Sequence, residues 1–359
     1  MNLAEVYAKI GAQLDNELPF VIYRKKEENS CTAFLQQDAT VYTTNSYSEA
    51  GFVFAPFDLE SEQAIVMPYA KSEVITSATM PFSDVDRVEN IADKVADCEK
   101  TAHITLVEKG IHEIQNSSLE KVVLSRTEKV TTQLDDALQL FHELTLLYSN
   151  AFVYFWYHPQ VGQWVGATPE TLLKVEQGIL STMALAGTKT AEDGTPVIWG
   201  DKEKEEQQIV TDFIVSGLSH ITDNLQQSAV YTHQAGSLFH LRTDLKCTIA
   251  EKTNLKDIIT VLHPTPAVCG LPKEKAKSFI MANEGYKRTF YTGFLGPLHM
   301  GVAQKSELFV NLRCMEVFAA HVKLFVGGGI TKDSVAVSEW EETVKKTETM
   351  KKVLRIVGT

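Results

Sequence analysis

The chain has 359 residues, 44% of them hydrophobic and 22% charged, which suits a large folded core and excludes a disordered protein. Its formal net charge of −12 repels nucleic acid and anionic lipid, and no basic stripe offsets it. Five cysteines form no CxxC and are odd in number, so reduced thiols in a cytoplasmic protein are expected.

Taken in order, MNLAEVYAKIGAQLDNELPF carries acids early and lacks an apolar signal core. No window approaches the roughly 18 consecutive apolar residues of a membrane span. Residues 1–88 read as short strands and turns, with runs such as AIVMPY and EVITSA. From Arg87 to Gln115 the apolar spacing of Val88, Ile91, Val95, Cys98, Ala102 and Leu106 predicts a helix. LEKVVLSRT (119–127) follows as a strand with Lys121 at its mouth. A helix from about Asp135 to Tyr148 precedes the aromatic strand AFVYFWY (151–157), and another strand surrounds GILSTMALAGT. A helix is predicted from about Lys202 to Leu225, then a proline-broken loop, HPTPAVCGLP, and a helix ending near Asn283. SELFVNLRCMEVF and HVKLFVGG are strand signals, and the chain closes in a helix from about Ser338 to Val357. Strands come in clusters rather than in regular βαβ alternation, which predicts one continuous α+β domain over residues 1–359.

Glutamates recur three apart on two predicted helices, Glu203 with Glu206 and Glu339 with Glu342. Such pairs share a helix face, and four carboxylates from two helices suit a hard cation such as Mg²⁺. Each pair alone reads more readily as a solvated face, with Glu342 and Lys346 as an i,i+4 ion pair. No HExxH and no Cys/His cluster supports zinc. Glu170, in GATPETLLK, reads either as a first-turn helix residue or as a site carboxylate. Gly327, Gly328 and Gly329 directly follow a strand and form either a tight turn or a nest of N–H groups for a carboxylate. Arg313, within an apolar strand, needs a carboxylate partner, internal or bound. His240 and His263 each read as ordinary structural histidines on their own.

The order of KVVLSR, GATPETLL, ALAGT, KEKEEQQIV, HLRT, HPTPAVCGLP, YKRTFYTGFLG, LFVNLRC, GGGI and SEWEETVKK resembles the chorismate-utilising enzymes. That family includes isochorismate synthase, salicylate synthase, anthranilate synthase component I and aminodeoxychorismate synthase. The resemblance covers about residues 85–357, with residues 1–84 matching more weakly. It implies a single α+β domain in which two large sheets enclose the site and helices pack outside. It also implies Mg²⁺ held mainly by Glu206, Glu339 and Glu342, with Glu203 nearby, gripping the ring carboxylate of chorismate. Arg313, Tyr291 and the Gly327–Gly329 backbone would hold the enolpyruvyl carboxylate. Gly187, Thr188, His240, Thr265, Ala267 and Lys346 complete the substrate surroundings that the resemblance implies. Gln207 departs from relatives that carry His after the metal-binding Glu, and no catalytic role attaches to it.

Two positions discriminate among the family's reactions. Amino-transferring relatives typically have Gln at the place of Lys121, whereas water as nucleophile needs a base, and a desolvated lysine can serve. Aminodeoxychorismate synthases commonly carry a nucleophilic lysine where this chain has Ala186. Glu170 then becomes the acid that protonates the departing C4 hydroxyl. The expectation is an isochorismate synthase, with salicylate synthase as the alternative and a non-catalytic chorismate-binding subunit as a third reading. A monomer without an obligate amidotransferase subunit is expected.

Overall fold

The computed structural model describes residues 1–78, 97–132, 136–189, 197–235 and 238–357. The first part runs α1 (Leu3–Asp15), β1 (Phe20–Arg24), β2 (Cys31–Gln36), β3 (Thr43–Thr44), β4 (Gly51–Ala55), β5 (Ala64–Pro68) and β6 (Ser72–Thr76). Next come α2 (Asp97–Asn116), β7 (Lys121–Thr131), α3 (Ala137–Leu147), β8 (Phe152–His158), β9 (Gly162–Thr168), β10 (Thr171–Glu176) and β11 (Ile179–Lys189). They are followed by α4 (Asp201–Leu218), β12 (Thr222–Gln227), β13 (Tyr231–Ala235), β14 (Leu238–Ile249), α5 (Leu255–Leu262), β15 (Gly270–Leu271) and α6 (Lys273–Asn283). The last elements are β16 (Phe294–Leu298), β17 (Ser306–Val310), β18 (Cys314–Phe318), β19 (His321–Ile330) and α7 (Ala336–Val357).

The strands make two antiparallel sheets. One has nine strands in the order β15-β7-β19-β18-β9-β8-β1-β2-β6; the other has ten, β12-β14-β11-β10-β17-β16-β4-β5-β3, with β13 added beside β14. The α+β class and the two large sheets are as expected.

Alternation decides which side chains go between the sheets. From β8, Phe152, Tyr154 and Trp156 point inward and meet Phe52 and Phe54 of β4 and Phe309 of β17. Phe54 stacks on Phe290 at 4.1 Å, and Phe152 stacks on Phe309 at 4.1 Å. The alternate β8 residues, Val153 and Phe155, face outward and pack with residues of α1, α3 and α7. The outer face of the ten-stranded sheet is covered by α4 and α5. Helices therefore lie outside.

Several local expectations change. Residues 3–15 are a helix, not strand and turn: Asn2 and Glu5 form a reciprocal capping box, and Val6 and Ile10 bury one face. The predicted 87–115 helix is seen from Asp97; residues 79–96 fall outside the described ones. The 202–225 helix stops at Leu218, and residues 222–227 pair as β12 with β14. Ile221 and Leu225 mimic helical spacing, but the left-handed backbone of Asn224 (φ 54°) is incompatible with a helix. SELFVNLRCMEVF is two strands in different sheets, so Arg313 sits in the crossing between them, at φ 47°, and not within a strand. Glu170 likewise opens no helix: it lies in the step from β9 to β10.

Candidate active site

Both chemistry-bearing crossings lie side by side. At Pro169 and Glu170 the chain steps from the nine-stranded to the ten-stranded sheet; at residues 311–313 it steps back. Val310 N–H donates to the Glu170 carbonyl at 3.0 Å, Ala167 N–H donates to the Arg313 carbonyl at 3.0 Å, and Thr168 Oγ1 donates to the Val310 carbonyl at 2.6 Å. The two steps thus fix each other, and both Glu170 and Arg313 line one cavity.

That cavity is also lined by Gly187, Glu203, Glu206, His240, Ala267, Tyr291, Gly327, Gly328, Gly329, Glu339, Glu342 and Lys346, all expected at the site. A larger concavity, of about 480 Å³, lies between residues 57–64 and 256–277 and holds none of the expected residues. Charged groups line both, but the buried carboxylates Glu170 and Glu339 belong to the smaller one.

Burial pushes the Glu170 carboxyl up to about 7, against the downward pull of the Lys121 and Arg313 charges. Such a carboxyl keeps its proton close to neutral pH, as an acid catalyst must. Lys121, at the start of β7, is completely buried, and its Nζ donates to Glu206 Oε1 at 2.7 Å. It stands behind Gly329 and does not itself form the cavity wall in this conformation.

The three glycines are not a nest after a strand. They lie inside β19 and pair with Ser125, Leu124 and Val123 of β7. Their use is spatial. A Cβ on Gly329 would come within 2.7 Å of Glu206 Oε1 and 3.1 Å of Lys121 Cε; one on Gly327 would come within 3.1 Å of the Tyr291 hydroxyl oxygen. Among the described residues, β18 pairs with β19 only as far as Leu324, which leaves the far backbone edge of the glycines open. Lys346 Nζ uses it, donating to the Gly327 carbonyl at 3.1 Å and pairing with Glu342 at 2.5 Å.

His240 is buried, and burial pushes its imidazole down to about 4, so it is neutral at working pH. Its Nδ1 lies 3.0 Å from the Gly187 carbonyl, which assigns the proton to Nδ1 and leaves Nε2 as an acceptor. Gly187 has φ 71°, and a side chain there would meet Glu203 at 3.1 Å. Thr265 is buried but does not line the cavity, and its hydroxyl has no hydrogen-bond partner among the described residues. Thr188 pairs with His240 in the β11–β14 ladder, and its side chain falls outside the described ones.

All four glutamates line the cavity, but they differ in what else they do. Glu203 reaches back to the Gly200 N–H at 2.9 Å as a helix cap and pairs with Lys189 at 3.4 Å. Glu206, Glu339 and Glu342 line the cavity, with Glu206 Oε1 and Glu339 Oε2 facing the side-chain-free positions of Gly329 and Gly328. An all-oxygen, all-carboxylate set fits a hard divalent cation. Among the described residues, however, no three acidic or metal-ligating side chains converge closely enough to form a metal cluster as they stand. Gln207 donates to the hydroxyls of Thr211 and Thr243, a structural role.

Comparison with known proteins bears on this geometry. The pattern of the chorismate binding enzymes matches residues 40–355. The chain belongs to that family. This chorismate-binding enzyme is 26% identical over 314 residues to the vibriobactin-specific isochorismate synthase of Vibrio cholerae, covering 83% of this chain and 78% of that protein. It is 28% identical to the isochorismate synthase EntC of Escherichia coli, with 82% and 78% covered, and 30% identical to the isochorismate synthase MenF of Bacillus subtilis, with 70% and 55% covered. Its fold matches MenF of Escherichia coli (TM-score 0.77, 21% identity, 94% and 88% covered). Anthranilate synthase component I of Streptococcus pneumoniae also matches (TM-score 0.67, 19% identity, 92% and 89% covered).

Sequence reading missed part of the wall of this enzyme's cavity: Val123, Leu185, Val268, Thr292, Leu312 and Phe325. Thr292 could have been suspected from YKRTFYTG; it has φ 59° and its hydroxyl lies 3.2 Å from buried Arg288 Nη1. The apolar members carry no signal separating them from core. No described helix is long and apolar enough to cross a membrane.

Proposed function

We propose that this enzyme is an isochorismate synthase, converting chorismate to isochorismate by adding water at C2 and expelling the C4 hydroxyl. The observation that carries the reading is a buried carboxyl pushed to about 7 on the cavity wall, with a buried lysine directly behind Gly329 of the same wall. Lys121, having parted from Glu206 and lost its extra proton to solvent, would act as the uncharged amine that takes the proton of the attacking water. Glu170 would give its proton to the C4 oxygen, which leaves as water, so that the ring keeps its composition. The reverse passage uses the same two groups with their roles exchanged. Ala186, on the cavity wall, offers no amine that could attack in place of water. Free ammonia is not required, and neither is an amidotransferase subunit to deliver it.

Arg313, Tyr291 and the open edge of β19 would hold the enolpyruvyl carboxylate, and Lys346 stands beside that edge. Glu206, Glu339 and Glu342 would hold Mg²⁺, which would supply positive charge for the ring carboxylate. Similarity to isochorismate synthases of 26–30% identity supports the same reaction class.

The test is product analysis of the pure protein with chorismate and Mg²⁺. An isomer of unchanged mass is expected. A fluorescent product with pyruvate would make it a salicylate synthase instead, and turnover only with ammonia would overturn the water reading. Lys121→Ala should lower kcat about 10³-fold while chorismate still binds; a variant that turns over normally at saturation would remove Lys121 as the base.

A further inference from the structure

Helix α7 carries two stripes of functional side chains. Glu339, Glu342 and Lys346 face the cavity. One position along, Trp340, Thr343, Thr347 and Lys351 form a second stripe, and all four are buried. Successive residues of an α-helix point about 100° apart, so a modest rotation about the helix axis would take the first stripe out of the cavity. The second stripe is gripped by two residues of β7 that the proposed reaction does not use.

Arg126 Nε donates to Thr343 Oγ1 at 2.9 Å, and the guanidinium carbon lies 4.5 Å from the centre of the Trp340 ring. Arg126 Nη1 donates to Glu128 Oε2 at 3.0 Å, while the other oxygen of Glu128 pairs with Lys351 at 2.5 Å. Arg126 and Glu128 are both buried. From α2, His103 lies 5.8 Å from the Trp340 ring; burial and the Arg126 charge keep it neutral. The grip spans residues 340–351, roughly three helical turns.

We propose that Arg126 and Glu128 are positioning residues that fix the rotation of α7 and thereby aim Glu339, Glu342 and Lys346 into the cavity. Because β7 also begins with Lys121, the same strand sets both the base and the carboxylate helix opposite it. The proposal rests on the reading of these three side chains as metal and substrate ligands.

Thr343→Val removes the acceptor of Arg126 Nε with little change of volume, and Lys351→Met removes the partner of Glu128. The measurements are Mn²⁺ affinity by electron paramagnetic resonance without substrate, KM for chorismate, and the thermal midpoint. Both variants should lose about tenfold in Mn²⁺ affinity, the usual cost of disturbing the groups behind metal ligands. KM should rise while kcat at saturating Mg²⁺ and chorismate stays within about threefold, since the reacting groups remain. A lowered thermal midpoint with unchanged Mn²⁺ affinity and KM would reduce the pair to a fold-stabilising contact and overturn the proposal. Failure of the wild-type protein to bind Mn²⁺ would sink the metal reading separately. In that case the KM shift, which reports Lys346 on the same stripe, decides the positioning role.

Discussion

Strands β8 and β19 lie in the same sheet and face the same opposing sheet, yet they build opposite things. β8 sends Phe152, Tyr154 and Trp156 inward, and rings from β4 and β17 close the gap. β19 presents Gly327, Gly328 and Gly329 at the height of the cavity, and the side chains that come close belong to β7, α4, α7 and Tyr291. β8 fills the inter-sheet space and holds the sheets at a fixed spacing; β19 adds Phe325 to that filling and then, over its glycines, leaves room for charged groups to approach. The difference teaches that the site is made by withholding Cβ atoms at one end of a sandwich whose other end is packed solid.

Breaking the filled end should cost most. Phe54→Ala removes a fully buried ring that stacks on Phe290 and touches Trp156 and Trp164. It should lower stability by about 3–5 kcal/mol, measured by denaturant unfolding. A change below 1 kcal/mol would mean that the aromatic end does not hold the sheets.

Filling the empty end comes next. Gly329→Ala would push a methyl group against Glu206 and Lys121, and kcat/KM should drop about 10²-fold with the fold intact by circular dichroism. Near-normal kinetics would show that the pair tolerates displacement.

The acid supplies a gentler, pH-dependent test. The Glu170 carboxyl is raised from 4.5 to about 7, so between those values the folded protein keeps a proton that the unfolded chain releases. Stability from this group is therefore greatest at low pH and declines as pH rises through that window. kcat should fall above about pH 7 as the acid is lost. Glu170→Gln should flatten the stability slope and abolish turnover; an unchanged slope would assign it to another group.

The smallest effect sharpens the division among the glutamates. Glu203→Ala should cost about 1 kcal/mol of stability through the lost cap on α4 and leave the proposed Mg²⁺ requirement unaltered. A raised Mg²⁺ requirement would return Glu203 to the coordination set.

Much of this was readable beforehand. The aromatic alternation of β8, the helical spacing of α2 and α7 and the i,i+3 glutamates appear in the primary structure because each depends on neighbours within a few residues. The capping box of α1 was equally local, in Asn2 and Glu5, and went unread. The strand placement of Arg313 and the helix-start alternative for Glu170 fail for another reason. A run such as SELFVNLRCMEVF looks continuous, and only the existence of a second sheet makes the chain turn at Asn311 and Arg313. The glycine run was misjudged for the same reason, since a strand partner that begins at Lys121 cannot be inferred from GGGI.

By itself, then, the amino-acid order determined the class of fold, the family and the chemical character of each site residue, all of which follow from residue type, local periodicity and motif order. Only the tertiary structure decided that Lys121 is held by Glu206, that Glu170 is buried enough to keep its proton near neutral pH, and that Glu203 serves as a cap. Those outcomes depend on how two sheets and α7 enclose a small polar space, because burial and charge pairing are set by groups far apart along the chain.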